Sequence, residues 1–406
     1  MNQNSDFIPF AKPALGKEEE DAVLEVLRSG WLTTGKVARA LEEEFAAFVG
    51  AKRALAVNSA TSGLHLALEA VGVGPGSVVA TSPYTFASTA AVARHLGAEV
   101  RFCDIGVADY NIDSDLLDRL LEREKDVRAI LPIHVGGNPC DMGAIFAAAE
   151  RHSHEGGQGV TGKRGIPVIE DAAHSFPSRT AAGLAGTLGD IGVYSFYATK
   201  TMTTGEGGMI VTDDPALGAR MATMRMHGFD REAWDRYTSR KASWYYEIVE
   251  AGYKYNLPDL LAAIGRVQLA KAERLFSERV AIAGRYDEAF SGLDGLVLPP
   301  RKNDGSHAWH LYSLRVDGSG DAVEAARDSL IAALQEAGIG SSVHFIPLHL
   351  MPYWAKRYAL SPSDFPRAWA SYRASVSLPI WPGMGNDAVD RVIETIATWV
   401  RNRSFR

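Results

Sequence analysis

The sequence predicts an α/β protein: a large domain with a mostly parallel sheet of about seven strands, then a smaller C-terminal α+β domain. Three observations carry this. From residue 53 to residue 212, short apolar runs alternate with helix-patterned stretches, the order that winds a parallel sheet. The runs Ile166–Glu170 and Ile191–Phe196 are apolar almost throughout, as strands buried on both faces are. A chain of 406 residues is too long for one small core, so two domains are expected, residues 1–259 and 260–406.

In order, an extended arm leads into apolar positions at helical spacing over Lys17–Ser29. Gly30-Trp31-Leu32-Thr33-Thr34-Gly35 interrupts it, and a second amphipathic helix, Val37–Val49, stops at Gly50. Arg53–Val57 reads as a strand that runs into Asn58-Ser59-Ala60-Thr61-Ser62-Gly63, with a helical pattern over Leu64–Val71. Strand, small polar turn, then helix suits an anion, because free backbone N–H groups and the positive helix end face it and hydroxyls add donors. A plain N-cap by Ser59 or Thr61 would use the same residues. Ser77–Ala80 is the next strand, followed by Thr81-Ser82-Pro83-Tyr84-Thr85-Phe86. Ser88–Leu96, Asp113–Glu124 and Met142–Arg151 read as helices, and Val100–Asp104 and Arg128–Ile133 as strands. The glycine-rich stretch 152–165 reads as a solvated loop. Its His152, His154 and Glu155 lack the second ligand pair that a metal site needs, so no metal is expected.

Gly207–Thr212 closes the first set of strands. Met224–Tyr255 then interleaves bases and aromatics, including Arg225, Arg231, Arg236, Arg240, Lys241, Trp244, Tyr245 and Tyr246. Leu260–Phe290 is one long helical pattern. Strands at His310–Val316, Ser341–Phe345 and Ala374–Leu378, with helices at Ala322–Ala337 and Asp387–Arg401, complete the smaller domain.

Composition narrows the class. Hydrophobic residues make up 46% and charged residues 22%, as in ordinary soluble proteins. Forty-two Lys and Arg against 49 Asp and Glu leave a net charge of −7. That argues against a general nucleic-acid binder and leaves room for a local basic pocket for a diphosphate. The two cysteines, Cys103 and Cys140, suggest neither a disulfide framework nor a zinc site. The N-terminus carries no basic-then-apolar signal, and no apolar run approaches the ~20 residues of a membrane span, so a cytoplasmic protein is expected.

The stretch 166–210 concentrates the chemistry. Asp171 ends one buried strand, and Lys200 lies just past the end of another. Carboxyl ends of parallel strands are where α/β proteins place their sites. A buried acid and a buried amine there suit pyridoxal phosphate, which needs a lysine for its Schiff base and an acid for its pyridine nitrogen. Taken alone, such a pair is more often a plain buried ion pair. The motifs EDAAHSF (170–176) and YSFYATKTMTTGEGGMIVT (194–212) bear on that choice. They resemble the DegT/StrS-type pyridoxal-phosphate-dependent sugar-nucleotide aminotransferases, and the resemblance runs from about Pro9 to the last helix.

The resemblance implies the fold-type-I aminotransferase fold, with Lys200 as the catalytic, cofactor-bearing lysine and Asp171 as the pyridine partner. It assigns Thr61, Ser62 and Ser195 to the phosphate, His174 to the ring hydroxyl, and Phe86, in place of Tyr84, to stacking on the ring. Asn256, in the segment Lys254–Asp259, would reach the cofactor phosphate of a partner subunit, which implies a homodimer with shared active sites. Thr33, Lys254, His310 of the HAWHL stretch and His344 fall to the substrate, with His349 in the same loop as His344.

The expected reaction moves an amino group from an amino acid, L-glutamate foremost, to a nucleotide-linked keto-sugar by a ping-pong scheme. Lys200 must then work as a neutral amine, so burial and nearby cations are expected to lower its pKa below ~10.4, while Asp171 stays ionised. A dehydratase branch of the family has His at the lysine position, so Lys200 argues for transfer. The C-terminal motifs look closest to branches that aminate C4 of UDP-sugars, as in UDP-4-amino-4-deoxy-L-arabinose synthesis. Two alternatives stay open: the same chemistry on a carbocyclic or aromatic ketone, and a non-catalytic regulator that keeps the fold. The second would be marked by loss of the lysine or the acid, and neither is lost.

Overall fold

The computed structural model describes residues 6–153, 165–230, 245–300 and 306–403. His154 and Glu155, and Arg231, Arg236, Arg240, Lys241 and Trp244, lie outside the described residues.

Helices α1 (Lys17–Ser29) and α2 (Lys36–Val49) precede β1 (Arg53–Val57) and α3 (Ala60–Ala70). Alternation continues through β2 (Val78–Thr81), α4 (Ala87–His95), β3 (Glu99–Phe102), α5 (Ser114–Arg123), β4 (Val127–Leu131) and α6 (Met142–Arg151). Then come β5 (Ile169–Asp171), a small hairpin of β6 (Arg179–Thr180) and β7 (Gly183–Leu184), β8 (Ile191–Ser195), β9 (Gly208–Thr212) and α7 (Pro215–Met224). Two ladders, β3-β2-β4 and β5-β8-β9-β1, are joined by parallel bridges from Ile130 to Val168 and from Ile133 to Asp171. The result is the expected seven-stranded sheet, β3-β2-β4-β5-β8-β9-β1. Among the described residues every neighbouring pair is parallel except the two made by β9. The carboxyl ends of β1, β2, β4, β5 and β8 therefore open along one edge.

Side-chain alternation explains the layers. Leu55, Val57, Val193 and Ile210 point to one face, where α3, α4 and α7 cover them. Ala54, Ala56, Tyr194, Met209 and Val211 point to the other and meet Leu41 and Phe45 of α2. Helices α5 and α6 cover Val78, Ala80, Val127 and Ile130. Both faces are buried, which is why the strands read as apolar runs.

The Leu260–Phe290 stretch breaks at Lys271 into α8 (Asp259–Ala270) and α9 (Ala272–Phe290). Helix α8 gives Ala262 and Leu269 to the core beside α2, whereas α9 gives Ile282, Tyr286 and Phe290 to the second core. That core also holds β10 (Leu296–Val297), β11 (Tyr312–Val316), α10 (Gly320–Glu336), β12 (Ser375–Leu378) and α13 (Asn386–Arg403), with β10-β11-β12 antiparallel. The strand expected at Ser341–Phe345 is only a bridge from Ser342 to Ser377. Helices α11 (Pro352–Tyr358) and α12 (Pro366–Ala374) carry Trp354 and Ala368 back to the first core. At the other end of the chain, the arm crosses over: Ile8 pairs with Ile339 of the second domain.

Candidate active site

Two parallel neighbours deliver the acid and the amine. Asp171 ends β5 opposite Val193 of β8, and β8 runs into the turn that holds Lys200. Asp171 is 2% exposed. Its Oδ2 accepts from Thr89 Oγ1 at 2.8 Å and its Oδ1 from the Ala173 N–H at 3.2 Å. Burial nonetheless raises the carboxyl above its ordinary value, against the pull of those bonds, Lys200 and His134. The expectation of a plainly ionised Asp171 thus needs a cation placed against it, which a protonated ring nitrogen supplies.

The amine follows the expected direction. Burial pushes Lys200 down to about 8; Asp171 opposes the shift and the Arg279 guanidinium adds to it. Lys200 Nζ lies 3.4 Å from His310 Nε2, and the ring centre of His310 lies 4.4 Å from that of His174. Burial pushes both histidines well below their ordinary values, with the Lys200 charge acting the same way. His344 is pushed down to about 4 by the same two causes and sits 3.0 Å from Ser377 Oγ through Nδ1. The Gly136 N–H donates to His174 Nδ1 at 3.2 Å. Nδ1 is therefore the bare nitrogen, and the neutral ring carries its proton on Nε2, free to donate.

A glycine pair brings the second domain in. Gly137 sits at φ +97°, and a Cβ there would lie 2.8 Å from Ala308 Cβ and 2.9 Å from His174 O. That closeness lets the Ala308 N–H donate to Gly137 O at 2.8 Å and the Leu311 N–H to Gly136 O at 3.1 Å. Between them Trp309 is held at φ +52°, a conformation that costs a bulky residue roughly 1 kcal/mol. His307 stacks on Trp309 at 4.0 Å and accepts from its backbone N–H at 2.9 Å through Nδ1.

The anion turn forms where β1 meets α3. Ser59 caps the helix, accepting from the Ser62 N–H at 3.1 Å, while Ser62 Oγ donates to Asn58 Oδ1. Thr61 is exposed and Ser62 buried. The turn lies on β9, since a Cβ at Gly208 would stand 2.7 Å from Ala60 N. Gly208 pairs with Ser195, so that hydroxyl, which accepts from the Tyr197 N–H at 3.3 Å, joins the same patch. Phe86 is 60% exposed, just ahead of α4 and one turn before Thr89. Tyr84 is fully buried and donates to His344 O at 2.9 Å, so Phe86 has the open ring of the two.

The remaining expected residues form a second group. Asn256 Nδ2 donates to Thr34 Oγ1 at 2.6 Å, and the Lys254 amine donates to Asn256 Oδ1. Thr33 is exposed beside them, and its carbonyl accepts from the Asp259 N–H at 3.3 Å. Asp259 holds the turn by accepting from the Gly35 and Ala38 N–H groups at 2.8 and 2.9 Å. None of these bonds reaches the Lys200 cluster. Tyr253 and Tyr255 alternate with Lys254 and Asn256 and pack on His65 of α3.

Sequence reasoning missed several neighbours. Glu170 is fully buried and accepts from the Gly186, Leu188 and Gly189 N–H groups at 2.8, 2.7 and 2.6 Å, and from His134 Nε2 at 2.8 Å. A charge inside an apolar strand run was its signal. Arg279 stands where the Leu275–Ile282–Tyr286 stripe of α9 calls for an apolar residue. Thr89 and Phe345, which stacks on His174 at 5.7 Å, carried no signal of their own.

A cavity of about 1020 Å³ lies elsewhere, between α1, α2 and α8, and no residue of the Lys200 cluster lines it. Among the described residues no group of three His, Cys, Asp or Glu could hold a metal ion, and no helix is long and apolar enough to cross a membrane. The donor set fits pyridoxal phosphate. A buried carboxyl short of a cation, a lysine amine with lowered pKa, a histidine with a free N–H and a hydroxyl-bearing helix start match its nitrogen, aldehyde, hydroxyl and phosphate.

Comparison with known proteins agrees. Residues 13–397 match the DegT/DnrJ/EryC1/StrS aminotransferase family. The chain is 44% identical to the spore coat polysaccharide biosynthesis protein SpsC of Bacillus subtilis, over 99% of both chains. A Streptococcus pneumoniae protein, Spr1654, solved in PMP and PLP forms, superposes with TM-scores of 0.90 and 0.88 at 29% identity. Its PMP form covers 97% of this chain and 99% of its own. Helicobacter pylori PseC, an aminotransferase involved in pseudoaminic acid biosynthesis, gives 0.86 at 26% identity, covering 98% of this chain and 100% of its own. This chain belongs to the DegT/DnrJ/EryC1/StrS aminotransferase family and is a pyridoxal-phosphate-dependent aminotransferase.

Proposed function

We propose that this protein transfers an amino group from an amino acid, L-glutamate foremost, to a nucleotide-linked keto-sugar. The observation that carries the transfer is the Lys200 amine, held near 8, beside buried Asp171 on the neighbouring strand. Pyridoxal phosphate, when bound, supplies the electron sink and the amino carrier. Asp171 would hold its ring nitrogen, and His174 would donate Nε2–H to its ring oxygen. Thr61, Ser62, Ser195 and the start of α3 would hold its phosphate, and Phe86 would cover a ring face. Lys200 Nζ, as a neutral amine, would take the proton from the donor's α-carbon and return it. His310 beside it is held by burial well below its ordinary value, which makes it a weaker base than the lysine.

The sugar reading is supported by the relatives, which include a polysaccharide biosynthesis protein and an aminotransferase of pseudoaminic acid biosynthesis. Exposed Lys254 beside Thr33 suits the diphosphate of a nucleotide. Asn256 pairs with Thr34 and bridges to Val57 at the end of β1, and the resemblance assigns it to the second subunit of a homodimer. A cytoplasmic setting, where nucleotide sugars are made, completes the proposal.

The test starts from protein converted to the pyridoxamine form by glutamate. Keto-sugar nucleotides, keto-inositols and aromatic ketones are offered in turn. Return of the yellow form, with an amino-sugar nucleotide seen by mass spectrometry, is expected for the first class alone. Turnover only of a keto-inositol or an aromatic ketone would overturn the sugar reading and keep the transaminase.

A further inference from the structure

Arg279 of α9 is 2% exposed, and among the described residues no carboxylate pairs with it. Its Nη1 donates to the carbonyls of Ile380 at 2.7 Å, Trp309 at 3.2 Å and His310 at 3.4 Å, and its Nε has no partner. Buried arginines ordinarily come with an anion, because an uncompensated charge is costly to desolvate. Burial lowers this one only to about 10, so it remains charged at neutral pH.

The three carbonyls explain half of its place. They pin the left-handed Trp309 and fix the peptide from which His310 reaches Lys200 Nζ at 3.4 Å. A neutral donor such as glutamine could do that much. The charge explains the rest. The charged and titratable groups around Lys200 are Asp171 from β5, His174 from the loop after it, and His310 and His344 from the second core; Arg279 of α9 lies behind His310, whose carbonyl its Nη1 reaches at 3.4 Å. The three histidines are held neutral, so Arg279 is the cation that opposes Asp171 in this set.

We propose that Arg279 is a positioning residue for Lys200: through the carbonyls it holds it fixes His310 against the amine, and it sets a buried cation directly behind that histidine. The inference rests on the reading of Lys200 as the transfer base. A like charge near a lysine is a recognised way to make it a base near neutral pH.

The experiment is trace acetylation of the full-length, cofactor-free protein with acetic anhydride across pH, quantified on the Lys200 peptide by mass spectrometry. The native midpoint is expected at about 8. Arg279→Gln, which drops the charge and leaves only a shorter amide donor, is expected to raise it measurably, by a few tenths of a pH unit or more. Arg279→Lys is expected to leave it near the native value. An unchanged midpoint in Arg279→Gln would overturn the proposal. So would a native midpoint near the ordinary lysine value, which needs no variant to fold, or a raised midpoint in Arg279→Lys. Failure of the protein to turn yellow with pyridoxal phosphate would overturn the functional reading separately, since the acetylation midpoint is read without the cofactor.

Discussion

Glu170 and Asp171 are neighbours on one short strand and point to opposite faces, so one carboxyl builds the scaffold and the other serves the site. Glu170 satisfies three backbone N–H groups and His134, and Glu170→Ala would strand all of them. A loss of roughly 3 kcal/mol or more is expected in chemical denaturation. Glu170→Gln is expected to retain part of it. Asp171→Asn keeps the size and removes the charge that a ring nitrogen requires. Transfer is expected to fall on the order of 10²-fold or more, with the fold intact by circular dichroism. Lys200 gives a sign for pH dependence. Its neutral fraction rises through about 8, so the rate of cofactor capture by cofactor-free protein is expected to climb up to that pH and level off above it. A capture rate flat from pH 6 to 9 would contradict the lowered amine.

At the scale of elements, α3 decides both packing and anion binding. A Cβ at Gly63 would lie 2.6 Å from Val193 Cγ1 in β8, so the helix rests directly on the sheet. Gly63→Val is expected to cost about 1–3 kcal/mol, visible as a lower Tm, and to weaken phosphate-dependent retention of the cofactor. The strands β1, β4, β5, β8 and β9 were legible because their faces are both buried and their runs are uniformly apolar. A charge at the end of such a run drew notice to Asp171 and Lys200, but only the EDAAHSF and YSFYATKTMTTGEGGMIVT motifs set them apart from a plain buried ion pair. Less legible was whatever depends on contacts distant in sequence. The break at Lys271 keeps helical spacing on both sides and shows itself only in which core each half meets. The 341–345 segment has a strand's composition but spends it on packing Phe345 against His174 and His344 against Phe10. Thr89 is an ordinary helix threonine until Asp171 arrives beside it.

At the scale of the molecule, the site is assembled from both domains, and the chain ties them together at both ends. Asp171, His174 and Lys200 come from the sheet, and His310 and His344 from the second domain through the Gly136–Gly137 seat. The arm crosses one way at Ile8, and α11 and α12 cross the other, so neither domain's core is made of one continuous segment. If Asn256 serves a partner subunit, then Lys200→Ala and Asn256→Ala proteins, each impaired alone, are expected to regain activity when unfolded together and co-refolded. Mixtures no better than their parts would place Asn256 in its own chain's site. The most direct single measurement is the visible absorption spectrum of the purified full-length protein with pyridoxal phosphate, before and after L-glutamate. A yellow band that fades to the pyridoxamine form, and that Lys200→Ala never shows, is the expected result. A protein that stays colourless with added pyridoxal phosphate would contradict the assignment of Lys200 and Asp171 as a transaminase site.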